Sequence, residues 1–461
     1  MLQGDLDQVG LMKPITKLQI SIEEPYEIPQ AIQRCIKTAM SGRRGPVFLE
    51  IRETALVREV KEDYIKNILD PEKYRPIYGP SANQEVINNA VELLKSAKKP
   101  LIIAGGGINA SGAFDEVNKL SETYNIPAGT SFGGFGAISS DKTFIGGKLT
   151  ADAYRKAANE ADVIISLGCK WDYTLIYGSP PMWNQSQKII QVDIDPIEIG
   201  KNRPVDVGVV GDAKSVINQL LNEMERNLPK EKIALWSQWN DYLQEIRKLD
   251  KQLIEKVLKY NKLPMKPHRL AFEVLDFMPD DAQIIFDGGD IFVFSTDIIS
   301  LKPRPPRSTF YPVSMGHLGV GIPFAIAVKM AKPDKLVICI TGDGSFLFNV
   351  QELDTAVRLS LPILIVIANN CAWGMIKSNQ KLNLGKRYCD VDFPPINYAE
   401  IAQGFGCYGE KIDKPDDIKP ALQRAIDSKK PAVIDVDISF ETPAAMKLLG
   451  LYKKNKGLFG K

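Results

Sequence analysis

Lys335-Leu336-Val337-Ile338-Cys339-Ile340-Thr341-Gly342-Asp343-Gly344-Ser345-Phe346 reads as a strand running straight into an acid bracketed by glycines. Up to Ile340 the apolar residues follow one another with almost no polar alternation, the pattern of a strand buried on both faces of a parallel sheet. Residues 350–359 carry Leu353, Ala356 and Val357 at helical spacing, which predicts a helix with one apolar face. A second apolar run, 362–368, ends in Asn369-Asn370. Strand, helix and strand make one βαβ unit. Its polar groups gather at the carboxyl ends of both strands, the edge where open α/β sheets bind ligands.

Those residue types suit a diphosphate held through a hard cation. Gly342 and Gly344 let backbone N–H groups approach phosphate oxygens closely, and the following helix adds its positive end. Mg²⁺ takes oxygen ligands in an octahedron shared with the phosphates. Asp343 supplies charge, while Asn370 and a nearby carbonyl supply neutral oxygens. Alone, Gly-Asp-Gly is as much an ordinary turn as a site, and Asn-Asn serves equally as a strand-end cap. The two motifs at this spacing point to function.

The rest of the chain sets the frame. At 461 residues it is too long for one core, so two to four domains are expected. An apolar share of 44%, a charged share of 25% and a net charge of +2 describe an ordinary globular chain with no basic face for nucleic acid. No apolar run reaches the length of a membrane span and the first residues do not resemble a signal peptide, so a cytoplasmic protein is expected. Cysteines 35, 169, 339, 371, 389 and 407 form no Cys-x-x-Cys pair and are expected to be reduced and packed. With only His268 and His317, a histidine-ligated metal is nearly excluded, and the chemistry leans on a cofactor.

The fold class is α/β, with parallel-sheet, Rossmann-like domains. Residues 1–60 hold one helical stretch, 28–40, and one strand, 46–51. That is too little to bury a sheet face and reads as the C-terminal part of a domain begun earlier. Residues 81–222 form a central domain with strands at 100–104, 163–167 and 189–194. A charged helical linker, 223–262, leads to the third domain, 263–445.

Gly-Asp-Gly, the spacer 345–368 and Asn-Asn together resemble the diphosphate-binding domain of the thiamine diphosphate enzymes, the acetolactate synthase, pyruvate oxidase and 2-hydroxyacyl-CoA lyase group. The resemblance implies thiamine diphosphate and Mg²⁺ as cofactors. It makes Asp343, Asn370 and the carbonyl of Ala372 metal ligands, and Gly342, Gly344, Ser345, Gly374 and Met375 diphosphate contacts. Upstream, Ser314-Met315-Gly316-His317-Leu318-Gly319-Val320-Gly321-Ile322-Pro323 is similar to the family's Gly-x-Met-Gly-x-Gly-x-Pro stretch. By that likeness Leu318 is the bulky residue beneath the bent cofactor. Asp287-Gly288-Gly289-Asp290 matches a strand end that borders the diphosphate, which makes Gly289 a contact. An acid at 290 would repel phosphate.

The central segment resembles the family's middle domain, which binds FAD in some members and ADP in others. The matching positions are Gly105, Gly107, Asp193 and Asp212, although Thr174 stands where those relatives carry an arginine. Carboxylates at strand ends are more often helix caps than ribose ligands. Tyr177-Gly178-Ser179-Pro180-Pro181 looks closer to the acyl-CoA lyases, and Asn369 to Met375 closer to acetolactate synthases. Residues 7–17 and 42–51 resemble the end of the pyrimidine-binding domain. The chain is therefore expected to be N-terminally truncated relative to the family, which carries roughly a hundred further residues there. That part holds the family's catalytic glutamate; no residue here matches its motif, and Glu23, Glu24 and Glu50 have other surroundings. No catalytic residue is therefore assigned. The expected activity is acetolactate synthase-like: decarboxylation of a 2-oxo acid such as pyruvate and transfer of its two-carbon unit to a carbonyl acceptor, as in branched-chain amino acid biosynthesis. The alternatives are a 2-hydroxyacyl-CoA or oxalyl-CoA-type lyase and an inactive cofactor-binding subunit. In the family the cofactor lies between two subunits, so a homodimer or tetramer is implied.

Overall fold

A computed structural model describes residues 6–61, 63, 70–75, 78–147, 151–258, 261–312, 315–444 and 446. The chain opens with a small parallel pair, β1 (Gln19–Ile22) and β2 (Phe48–Ile51), with Gln19 in register with Phe48. The crossover between them is α1 (Ile28–Met40), which buries Ala31 and Cys35 against the pair. Its C-terminal end is closed by Lys17, whose Nζ donates to the carbonyls of Thr38, Ser41 and Arg43 at 2.8, 2.8 and 2.9 Å. A cation on a row of orphan carbonyls is a standard helix stop. The strand at 19–22 was not read from sequence. Four residues with Gln19 and Ser21 among them carry little apolar signal, and β2 supplies the pairing.

The central unit begins with α2 (Gln84–Ser96). Its six parallel strands are β3 (Pro100–Ala104), β4 (Ala128–Thr130), β5 (Phe144–Gly146), β6 (Val163–Leu167), β7 (Lys188–Asp193) and β8 (Val207–Val210). They lie in the order β5-β4-β3-β6-β7-β8. The short helix α3 (Gly106–Ser111) follows β3, and α4 (Ala213–Asn227) follows β8. Every residue of β3 and β6 is buried, as their largely apolar runs require. Residues 230–258, inside the stretch read as a linker, form one 29-residue helix, α5 (Lys230–Leu258). It packs on the central unit rather than spanning a gap. Trp236 enters one apolar core and Trp239 and Leu243 the other, and the two indoles donate to the carbonyls of Ala97 and Pro100, both at 3.1 Å.

The third unit is a second six-stranded parallel sheet. Its strands are β9 (Gln283–Phe286), β10 (Thr309–Phe310), β11 (Val337–Gly342), β12 (Leu364–Asn369), β13 (Tyr408–Ile412) and β14 (Ala432–Asp437). The order β10-β9-β11-β12-β14-β13 sends the chain from β9 first to one side and then to the other. The reversal opens a crevice beyond the carboxyl ends of β9 and β11, where such sheets bind ligands. Four helices reach that edge: α6 (Asp290–Ile299), α7 (Gly321–Ala331), α8 (Asp343–Leu347) and α10 (Gly374–Asn383), with α9 (Glu352–Arg358) on the face behind. The single helix expected at 350–359 is thus α9, and a further short helix starts at Asp343 itself.

Candidate functional site

Strand ends bring the expected residues together. Gly342 closes β11, and Asp343 is the first residue of α8 and 3% exposed. One Asp343 carboxylate oxygen accepts the amide of Gly344 at 2.8 Å; the other accepts the amide of Ala372 at 3.3 Å. Asp343 is thereby tied to the turn after β12. That turn is held from behind. Asn369 donates to the buried Asp435 at 3.0 Å and accepts the amide of Cys371 at 3.3 Å. Cys371 adopts φ +51°, a left-handed conformation costly for a residue with a Cβ. Its carbonyl accepts from Phe393 at 2.7 Å.

The glycines mark where atoms crowd. A Cβ on Gly344 would lie 2.5 Å from the Trp373 ring, and one on Gly374 only 1.8 Å from an Asp290 oxygen. A Cβ on Gly289 would lie 2.6 Å from Met375, and Gly288 at φ +102° faces Gly342 and Ser345. The Leu318 segment joins the same edge, because the amides of Gly319 and Gly321 donate to Asp287 at 3.1 and 3.0 Å. Asn349 in turn donates to the Gly319 carbonyl at 2.7 Å. Gly289, Gly342, Gly344, Ser345, Asn370, Gly374 and Met375 therefore gather with Asp343 and Ala372 at one sheet edge, and Leu318 lies on the segment that Asp287 pins beside it.

Charge and orphaned atoms show what this wall is suited to hold. Burial pushes the Asp343 carboxyl up to about 7, with the neighbouring Asp290 charge adding, against the pull of the amides of Gly344, Ala372 and Cys371. Burial also raises Asp287 and Asp290. Among the described residues neither Asp343 nor Asp290 forms an ion pair. The Oδ1 of Asn370 is buried with no hydrogen-bond partner. A buried acid without a cation and a buried amide oxygen without a donor are both costly when left so. A hard cation satisfies both at once. Among the described residues no trio of His, Cys, Asp and Glu is placed to hold a metal. The Asp343 carboxylate and the free Asn370 Oδ1 are oxygen donors of the kind a hard cation takes when its other ligands come from phosphate.

Sequence reasoning missed the role of Asp290. The acid at the start of α6 is 7% exposed and accepts the Asn370 side-chain N–H at 2.8 Å. The available signal was Gly374, whose absent side chain leaves the room that Asp290 occupies. Glu23 and Glu24 pair with Arg52 and Arg58, and Glu50 accepts from Ser21, all at the small N-terminal sheet pair rather than at this edge.

The central sheet carries a separate cavity of about 770 Å³ at its own carboxyl edge. Gly107, Asp193 and Asp212 line it with Arg43, Lys170 and Lys214, and Thr174 is in its wall. Gly105 lies behind. Its amide donates to Leu167 and that of Gly107 to Gly168, both at 2.9 Å, and a Cβ on either would strike the 168–169 backbone. The two glycines therefore serve the close packing of neighbouring strand ends. Asp212 caps α4 through the amides of Lys214 and Ser215 at 3.0 and 3.3 Å, and Asp193 accepts the amide of Asp195 at 3.0 Å.

Comparison with known proteins places these units. The family described as "Thiamine pyrophosphate enzyme, central domain" matches residues 87–220, and "Thiamine pyrophosphate enzyme, C-terminal TPP binding domain" matches residues 287–436. The chain is 34% identical to the probable acetolactate synthase large subunit of Methanococcus aeolicus, over 96% of this chain and 75% of that protein. It is 28% identical to the acetolactate synthase large subunit of Haemophilus influenzae, over 94% and 75%. It is 30% identical to the 2-hydroxyacyl-CoA lyase of Arabidopsis thaliana, over 94% and 76%.

Proposed function

Because the chain belongs to the thiamine pyrophosphate enzymes, we propose that it is an acetolactate synthase-like enzyme that decarboxylates a 2-oxo acid such as pyruvate and passes the two-carbon unit to a carbonyl acceptor. The observation that carries the cofactor part is the buried, unpartnered Oδ1 of Asn370 in the same wall as Asp343. When bound, thiamine diphosphate supplies an electron sink beside a carbonyl carbon. The chain's own residues do the holding. Asp343, Asn370 and the Ala372 carbonyl take Mg²⁺, and Gly342, Gly344, Ser345, Gly374, Met375 and Gly289 admit the diphosphate. Leu318, half-buried on a segment pinned by Asp287, supports the cofactor from below. Met315, Phe348 and Ile376 are exposed near this edge, which fits a second subunit covering the site in a dimer or tetramer.

A second reading, cleavage of a 2-hydroxyacyl-CoA, is favoured by the Tyr177 to Pro181 stretch and by the central cavity, where Arg44, Arg75, Lys170 and Lys214 stand among the acids Asp172, Asp193 and Asp212 and could meet the phosphates of a nucleotide such as ADP, FAD or the coenzyme A moiety. The deciding experiment gives the protein thiamine diphosphate and Mg²⁺ and follows acetolactate from pyruvate beside aldehyde release from a 2-hydroxyacyl-CoA. Pyruvate turnover supports the first reading, and acyl-CoA cleavage without it the second. Calorimetric binding of the cofactor with neither substrate consumed leaves a cofactor-binding subunit. Failure to bind thiamine diphosphate would sink all three.

A further inference from the structure

We infer that Asp290 is a positioning residue that fixes the side-chain amide of Asn370 with its oxygen toward the cation. The inference rests on the metal site proposed above.

A primary amide has two faces of nearly equal shape, one donating and one accepting. An asparagine that must ligate a cation therefore needs something to choose its orientation. A carboxylate can do so because, when ionised, it only accepts. Asp290 accepts the Asn370 Nδ2–H at 2.8 Å, which turns Oδ1 the other way, and there Oδ1 is buried without a partner. Asp290 is itself fixed. It starts α6, accepts the amide of Ile291 at 2.9 Å and is almost wholly buried. The Gly374 backbone lies so close that any side chain there would collide with the accepting oxygen. A carboxylate facing a diphosphate would repel it, yet this one is spent on an amide N–H. Gly374 leaves the space Asp290 needs, Asp290 orients Asn370, and Asn370 presents its oxygen. Losing a group that orients a metal ligand in this way typically costs about 10–100-fold in metal affinity.

The test is a Mn²⁺ titration in the presence of thiamine diphosphate, with free Mn²⁺ read from its EPR signal and folding checked by thermal unfolding. The proteins are the parent, Asp343→Asn, Asp290→Asn, Asn370→Asp and the swap Asp290→Asn/Asn370→Asp. Asp290→Asn keeps size and shape but lets either amide face turn inward, so Mn²⁺ affinity should fall by about 10–100-fold without being abolished. Asn370→Asp sets two carboxylates against each other and should weaken binding as well. The swap exchanges donor and acceptor, so it should recover most of the affinity lost in the single variants. That recovery is a coupling no merely structural role produces. Parent-like binding by Asp290→Asn, or losses that simply add in the swap, would overturn the inference while leaving the metal site intact. Loss in Asp290→Asn as complete as in Asp343→Asn, with no recovery in the swap, would make Asp290 a direct ligand and overturn it too. A parent protein that takes up no Mn²⁺ would remove the metal site and this inference with it.

Discussion

Asp343 shows a side chain kept at a cost to the fold. Its carboxyl, held near 7 by burial and by Asp290, holds a proton more tightly in the folded chain than in the unfolded one. Its contribution to stability therefore falls as pH rises from the ordinary carboxylate value through about 7, and the loss is complete above that. Between pH 5.5 and 8 the loss amounts to about 2 kcal/mol. Asp343→Asn should remove that part of the pH dependence. In denaturant titrations without metal, the parent should lose about 2 kcal/mol more than the variant over this range. Equal slopes would show that Asp343 is not buried as a free acid. Adding Mg²⁺ and thiamine diphosphate should raise the parent's midpoint and leave the variant's unmoved. Close approach gives a second prediction at this scale. Gly374→Ala places a methyl 1.8 Å from the Asp290 oxygen, and overpacking of this kind costs about 1–3 kcal/mol. Mg²⁺-dependent uptake of thiamine diphosphate should be lost with it. Gly404→Ala, where nothing lies within 4 Å, should be silent in both assays. Gly342, Asp343, Gly344 and Asn370 were legible in sequence because both motifs are local and their chemistry is specific. Asp290 was not, because its partner Asn370 lies 80 positions away and a carboxylate beside a phosphate site reads as repulsive.

Elements were legible in proportion to their apolar content. The strands at Pro100–Ala104 and Val163–Leu167 stand where the runs rich in Leu, Ile and Val put them. β4 and β5 have three residues each, with a glycine in both, and were not read; strands so short leave no periodicity to detect. In α5 the helix was legible but its packing was not. Charge along 223–262 reads as a helical linker, and residues 230–258 are a helix, yet Trp236 is fully buried and Trp239 is 5% exposed. Both occupy one face of the helix and draw its long polar side chains over the central unit as a cover. Trp236→Ala should therefore destabilise the chain by about 3–5 kcal/mol, the usual cost of emptying a large buried aromatic site. Trp236→Phe should cost less but still lose the indole bond to Ala97. A denaturant midpoint unchanged by Trp236→Ala would return α5 to the role of a linker.

At the scale of the whole chain, two candidate ligand-binding edges lie on two sheets, and residues distant in sequence join the units. Phe132 and Phe135 of the central unit meet Phe292 and Tyr311 of the third, with ring centroids 5.8 and 5.6 Å apart. Arg247 of α5 reaches both Asp141 and the carbonyl of Leu301. Arg43, just after α1, pairs with the buried Glu198 at 2.8 Å and closes one side of the central cavity. Sequence singled out Gly107, Asp193 and Asp212 of that cavity but not its basic residues Arg43, Lys170 and Lys214, which come from distant segments. Its contents should be separable from those of the diphosphate crevice. If a phosphorylated nucleotide binds there, ADP, FAD or coenzyme A at 100 times its dissociation constant should stabilise the fold by about 2.7 kcal/mol. Arg43→Ala removes a cation from the cavity wall but none from the Asp343 crevice. It should therefore reduce the nucleotide-induced shift in melting temperature while leaving the shift from Mg²⁺ and thiamine diphosphate unchanged. A loss of both shifts would mean that the two edges are coupled through the packing of the three units. No shift with any of the three nucleotides at millimolar concentration would leave the cavity without a nucleotide and remove the main structural support for the acyl-CoA reading.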